Sequence, residues 1–328
     1  TITDDLNSGD LTVSGLTTFT AEELDADGDL SITASGAMSA SDHLDVENDA
    51  TIIADSISLE QITTAAGDVT LTSTGNDVTY SAAADVSGNL TVTAADDFAA
   101  VGTLSVDNDI TITADDFNAT TTVDTLEGDL TITATNDVDI NGALGVDGAL
   151  TITQSAATGE VDFAGTVNVD NDVTITAGKD VLAQSTVTVN AGTLSITAQN
   201  DINLDGATAV TGGSITLTTL EAAGGDIDIR GVLVSATNDI TITSADQVLI
   251  GDIGNTNGNV TITAGNEVTF GDATGAFDVN LGNLSVTSNG AGAAGMVNIV
   301  DGGIVDNDIT LAGDEVDIDA ATTSNAGT

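Results

Sequence analysis

With 52 Asp plus Glu against 2 Lys plus Arg in 328 residues, the chain carries a formal net charge of -50. A field of this sign repels nucleic-acid phosphates and anionic lipid headgroups and gathers cations, so neither nucleic acid nor membrane insertion is expected. The sequence has no Pro, no Cys and no Trp, which excludes a disulfide scaffold, and its 41% hydrophobic residues are too many for an acidic disordered chain.

Its first residues show no charged-then-apolar leader, and a start at Thr1 reads as a processed product or an excised piece. From Asp10 onward one phrase recurs. It begins again at Asp29, Asp49, Asp68, Asn89, Asp109, Asp129, Ala149, Asp172, Thr193, Ser214, Asp239, Asn259, Asn283 and Asp308, at spacings of 19 to 25 residues with the longer ones late. Self-similarity at this period is the mark of a repeat architecture.

DLTITATNDVDINGALGVDG, residues 129–148, is the clearest copy. Three short stretches alternate apolar and polar residues, LTIT, VDI and LGV, and Gly, Asn or Asp closes each. In a strand of period two, Leu130, Ile132, Val138, Ile140, Leu144 and Val146 point one way and Thr131, Thr133 and Asp139 the other. The predicted fold is all-β: a right-handed parallel β-helix (β-solenoid) of about fifteen rungs of roughly 20 residues, three short strands per rung. Stacked at about 4.8 Å per rung it makes a rod near 70 Å long. One continuous array covers 1–328, with longer rungs and loops at 214–238 and 259–307. Sustained 3.6-residue periodicity is lacking, which excludes helical repeats, and propeller blades need about forty residues and four strands.

NDITITA at 108–114, NDITITS at 238–244 and GDLTITA at 128–134 resemble the repeats of filamentous-haemagglutinin-type adhesins and other giant bacterial surface proteins. The resemblance covers essentially the whole chain. It implies a secreted, extracellular element of a bacterial cell surface that presents or connects other modules.

Two columns of carboxylates emerge when the rungs are aligned. One precedes the first strand, at Asp10, Asp29, Asp49, Asp68, Asp109, Asp129, Asp172, Asp239 and Asp308; the other precedes the second, at Asp77, Asp97, Asp116, Asp137, Asp180, Asp201, Asp246, Glu267 and Glu315. Like charges one rung apart repel by about 0.9 kcal/mol even at the dielectric of water, and cations relieve that. The oxygen-rich corners with Asp107 and Asp109, Asp170 and Asp172, and Asp306 and Asp308 are the candidate Ca²⁺ ligands. Asp and Asn also form turns with no ion at all, and neither an EF-hand loop nor a calcium-roll repeat is present.

Outward threonine pairs recur at Thr91 and Thr93, Thr111 and Thr113, Thr131 and Thr133, Thr151 and Thr153, Thr174 and Thr176, and Thr241 and Thr243, with Ser31, Ser195 and Ser285 interrupting the columns. They resemble the Thr-X-Thr faces of solenoidal ice-binding proteins, although Thr is also the best polar residue for an exposed strand. Catalysis is poorly served: His43 is the single histidine, Lys179 and Arg230 are the only basic residues, and carboxylates on every rung are a structural pattern.

The expected function is therefore non-enzymatic. The chain reads as a structural extracellular rod, a self-assembling filament subunit, surface-layer or adhesin-stalk component, with copies of itself and divalent cations as partners. Its opening TIT and closing DEVDIDAATTSNAGT contain no capping helix, which suggests an internal slice of a longer rod or end-to-end stacking. The alternative is a binding module, for ice through the threonine face or for surface glycan through the late loops.

Overall fold

The computed structural model describes residues 6–64, 66–221, 224–235, 238–255, 257–271, 278–279, 282–290, 295–300, 304–305, 307–318 and 323–324. The described residues form strands joined by bends and turns, and every pairing between them is parallel. They stack as a β-solenoid of about 14 turns of ~20 residues. The chain divides into two compact units, Thr1–Gln154 and Ser155–Thr328.

In the first unit the three expected strands of one turn are Leu130–Ala134, Val138–Ile140 and Leu144–Val146. Each lies in register on the turn before: Ile110 on Leu130, Phe117 on Val138 and Val123 on Leu144. All six inward aliphatic residues of this turn are buried, whereas Thr131 and Asp139 are half-buried and Thr133 is exposed. Alternation with period two has put the apolar side of each strand into one core. Tyr80, Phe98 and Phe117 stack within it on successive turns, with ring centroids 6.1 and 5.4 Å apart.

The second unit repeats the pattern. Val173–Ala177, Leu194–Ala198, Ile215–Thr219 and Ile240–Ser244 follow one another in a single sheet. Of the longer late rungs, the stretches 222–223, 236–237, 272–277, 280–281, 291–294 and 301–303 lie outside the described residues. Flanking strands keep register nonetheless: Val260–Ala264 pairs with Leu284–Ser288, and Leu284 in turn with Ile309.

Two features depart from the three-strand expectation. Ala37–Val46, Ser56–Thr64, Ile227–Ser235 and Val248–Asn255 each run through a corner as one long strand, with register shifts at Ala40/His43 and Ile229/Val232. The Asn-Gly pair of Asn141 and Gly142 stops the ladder and Glu60-Gln61 offers no turn residue to do so, but Ser41-Asp42, Gly231 and Gly251-Asp252 are carried through the bend as strand. The core also admits hydroxyls. Thr125 is fully buried and donates to the carbonyl of Gly128 at 2.8 Å, and Ser235 does the same to Asn238 at 3.0 Å. A buried hydroxyl replaces an aliphatic residue there at little cost because its partner is the corner's own main chain.

Candidate functional site

Where the chain enters the first strand of a turn, the main-chain N–H points along the stack toward the turn before. Asp is the residue that meets it. Asp68 donates its N–H to Asp49 Oδ1 at 2.9 Å, Asn89 to Asp68 at 2.8 Å, Asp129 to Asp109 at 2.9 Å and Ala149 to Asp129 at 2.7 Å. Asn89 stands in the same column and accepts from Asp109 through its amide oxygen at 3.1 Å. In the second unit Thr193 donates to Asp172 at 2.8 Å, Asn259 to Asp239 at 2.7 Å and Asp308 to Asn283 at 3.1 Å.

The second column repeats the device one corner on. Asp137 donates to Asp116 Oδ1 at 2.8 Å, Asp201 to Asp180 at 3.1 Å and Asp226 to Asp201 at 2.9 Å. Both columns are thus acceptor ladders that satisfy corner N–H groups, a contact worth about 1.5–3 kcal/mol when the acceptor is charged. The repulsion between their members is the cost. Burial pushes the carboxyl of Asp97 above the usual range, reinforced by Asp116, Asp96 and Asp77, and burial with Asp246, Asp201 and Asp228 does the same to Asp226.

Of the proposed calcium corners, Asp109 and Asp172 each commit Oδ1 to the ladder, and Asp170 accepts from the Asn190 amide at 2.6 Å. Asp107 lines a shallow groove with Ser87, Asn108, Leu126 and Glu127. Asp308 receives the N–H of Leu284 on its carbonyl at 3.0 Å, and Asp306 lies outside the described residues. A different acidic group comes closer together: Asp77, Asp96 and Asp97 bring one oxygen each within 4.8 Å of one another. Asp96 had no place in either column. The signal for it was the adjacent pair Asp96-Asp97, which sets two carboxylates on one corner above Asp77.

All three positively charged or chargeable side chains bind carboxylates of their own turn and of the turn before. His43 Nε2 lies 2.7 Å from Glu23, Lys179 Nζ lies 2.6 Å from Asp180 and 3.5 Å from Glu160, and Arg230 lies 2.8 Å from Asp228 and 3.7 Å from Asp205. Hydrogen bonding to Asp180 raises the Lys179 pKa, and that to Asp228 raises Arg230. They serve as cross-turn ties.

The threonine pairs are brought together as the spacing required. Thr91, Thr111, Thr131 and Thr151 stack in one column, and Thr93, Thr113, Thr133 and Thr153 in the next. In the second unit Thr174 is followed by Ser195 and Thr216, and Thr241 by Thr261 and Ser285.

Haemagglutinin repeat is the family whose model matches, over residues 3–84 and 85–142. Over those residues, all in the first unit, the chain is similar to the repeats of filamentous-haemagglutinin-like proteins. No curated protein and no solved structure matches it. The haemagglutinin repeat suggests an adhesin or structural surface role, of a kind that is typically not enzymatic, and a secreted or cell-surface setting.

Proposed function

We propose that this chain is a structural module of a bacterial surface protein, filament, surface layer or adhesin stalk, whose carboxylate columns hold divalent cations and whose copies assemble with one another. One observation carries the reading: carboxylates recur on turn after turn as main-chain acceptors, so the acidic groups belong to the scaffold rather than to one pocket. The haemagglutinin repeats support the same class of role.

The ladders leave most of their charge uncompensated, since Lys plus Arg number only 2 against 52 Asp plus Glu. Calcium takes six to eight oxygens at about 2.3–2.6 Å, and the group Asp77, Asp96 and Asp97 supplies carboxylates at a suitable mutual distance. The corners at Asp107 and Asp109 and at Asp170 and Asp172 would offer oxygens beyond those the ladder uses, with waters completing the shell.

Electron microscopy of the purified protein tests the reading. Ordered assemblies in millimolar Ca²⁺ that disperse in EDTA are expected. Dispersed particles in both conditions, together with specific signals on a glycan array, would replace it with the binding-module reading.

A further inference from the structure

We infer that the outer threonine face of the first unit is where a second copy of this chain docks, face to face. The inference deepens the assembly reading above and rests on it. From Leu30–Ala34 to Leu150–Gln154 seven strands pair without a register shift. Their outward positions run from Ser31 and Thr33 to Thr151 and Thr153, and all carry hydroxyls except Ile53.

In a chain of net charge -50 this face has no charged side chain among the described residues. The other two outward faces of the same unit do carry charge: Asp25, Asp45, Asp85 and Asp124 on one and Asp139 on the other. Two copies meeting on the first of those faces would bring carboxylates together and strip them of water, which costs several kcal/mol per unpaired charge. The second offers one outward residue per turn and lies beside the carboxylates of Asp97, Asp116 and Asp137. Meeting on the threonine face would desolvate only methyls and hydroxyls. Hydroxyls on paired threonine ladders can bond to one another across the contact, as cross-strand Thr pairs do.

Periodicity singles out a second copy as the partner. Two stacks of the same rung spacing of about 4.8 Å can interdigitate at every turn simultaneously, as identical ladders do in dry sheet-to-sheet packing. Seven strands at that spacing and five residues of about 3.3 Å make a face of about 34 by 16 Å, or roughly 1,100 Å² buried over both partners. That clears the ~1,000 Å² needed by a specific interface only narrowly, so the pair should be weak and reversible.

The corner columns rim the face at both strand ends, with Asp129 before Leu130 and Asp137 after Ala134. Sheets packed about 10 Å apart place these rims near the screening length of about 8 Å in physiological salt. Salt and divalent cations should therefore strengthen pairing, whereas a contact held by ion pairs would weaken.

Sedimentation equilibrium of the whole chain tests this, in about 0.02 M and about 0.5 M NaCl and with millimolar Ca²⁺. The wild type should associate more tightly as salt or Ca²⁺ rises. Thr113→Asp with Thr133→Asp should raise the dissociation constant roughly tenfold or more, while Ala99→Asp with Asn118→Asp, on another face, should leave it within about twofold. A nitroxide on Thr133→Cys, in a chain without other Cys, gives a second reading that needs no added charge: its spectrum should broaden on association, and that of Asn118→Cys should not.

Wild-type protein that stays monomeric throughout would overturn both this inference and the assembly reading. Association that ignores the Thr113 and Thr133 substitutions and leaves the Thr133 label unchanged would overturn the face alone. Monomers that arrest ice growth through the same threonines would assign the face to ice.

Discussion

The main-chain N–H of Asp129 donates to Oδ1 of Asp109, one turn earlier, at 2.9 Å, while Asp109 itself donates to the amide oxygen of Asn89 at 3.1 Å. One ladder therefore accepts carboxylate and carboxamide alike. What the corner needs is an oxygen on a short side chain, and the negative charge is an addition.

Asp109→Asn should accordingly be neutral or slightly stabilising, since it keeps the acceptor and removes a like charge. Asp109→Ala should cost about 1–3 kcal/mol, because it leaves the Asp129 N–H without its acceptor. Urea denaturation of the two variants decides the matter. Equal losses would mean that the carboxylate charge, not the oxygen, holds the corner.

Ile132 is fully buried while its neighbour Thr133 is exposed. Ile132→Asp should cost more than about 4 kcal/mol by placing an unpaired charge between turns, and Thr133→Asp should stay within about 0.5 kcal/mol. Thermal melts of both will show this, and similar losses would reverse the assignment of inside and outside.

Gly142 passes so close to the turn before that a Cβ would lie 2.0 Å from the carbonyl oxygen of Thr121, whereas a Cβ on Gly9 would meet nothing within 4 Å. Gly142→Ala should therefore cost about 1–3 kcal/mol, since a main-chain atom must move. Gly9→Ala should be neutral or stabilising by about 0.4–1 kcal/mol through the unfolded chain. Matched denaturation curves for the two variants test the corner geometry directly.

Acidification should stabilise the protein before it harms it. Burial raises the carboxyls of Asp97, Asp124 and Asp226, with Asp116, Asp147 and Asp246 the foremost neighbouring charges. A carboxyl whose folded pKa exceeds its unfolded value of about 3.9 binds more proton when folded, so stability rises as pH falls through the folded values and levels off below the unfolded one. The melting temperature should climb on going from neutral pH into the carboxylate range, and Asp97→Asn should reduce the climb. A melting temperature that only falls over that interval would contradict the shifts.

Much of this was legible in the sequence, because a solenoid turn is written in local alternation. Leu130, Ile132, Val138 and Ile140 are buried where period two placed them, and the threonine columns stack as their spacing requires. The carboxylate columns were visible too, but their purpose was not. Only with the turns stacked does Asp109 Oδ1 reach an N–H twenty residues on. The same holds for the pairing of His43 with Glu23 and for the meeting of Asp77 with Asp96 and Asp97, which depend on register between turns. At Ser56–Thr64 the missing turn residue leaves no positive mark. Ser41-Asp42, Gly231 and Gly251-Asp252 read as turn residues and yet lie within continuous strands, because pairing with the neighbouring turns carries the ladder through them.

The role proposed for the acidic columns is tested most directly by calorimetric melting of the whole chain in excess EDTA and in millimolar Ca²⁺ at one fixed ionic strength. Binding to the folded state alone raises stability by about 2.7 kcal/mol at a hundredfold excess over the dissociation constant, so a melting temperature several degrees higher in Ca²⁺ is expected. Asp77→Asn with Asp96→Asn should shrink that increment. Identical melting temperatures in EDTA and Ca²⁺ would contradict the account, leaving the carboxylates as main-chain acceptors and nothing more.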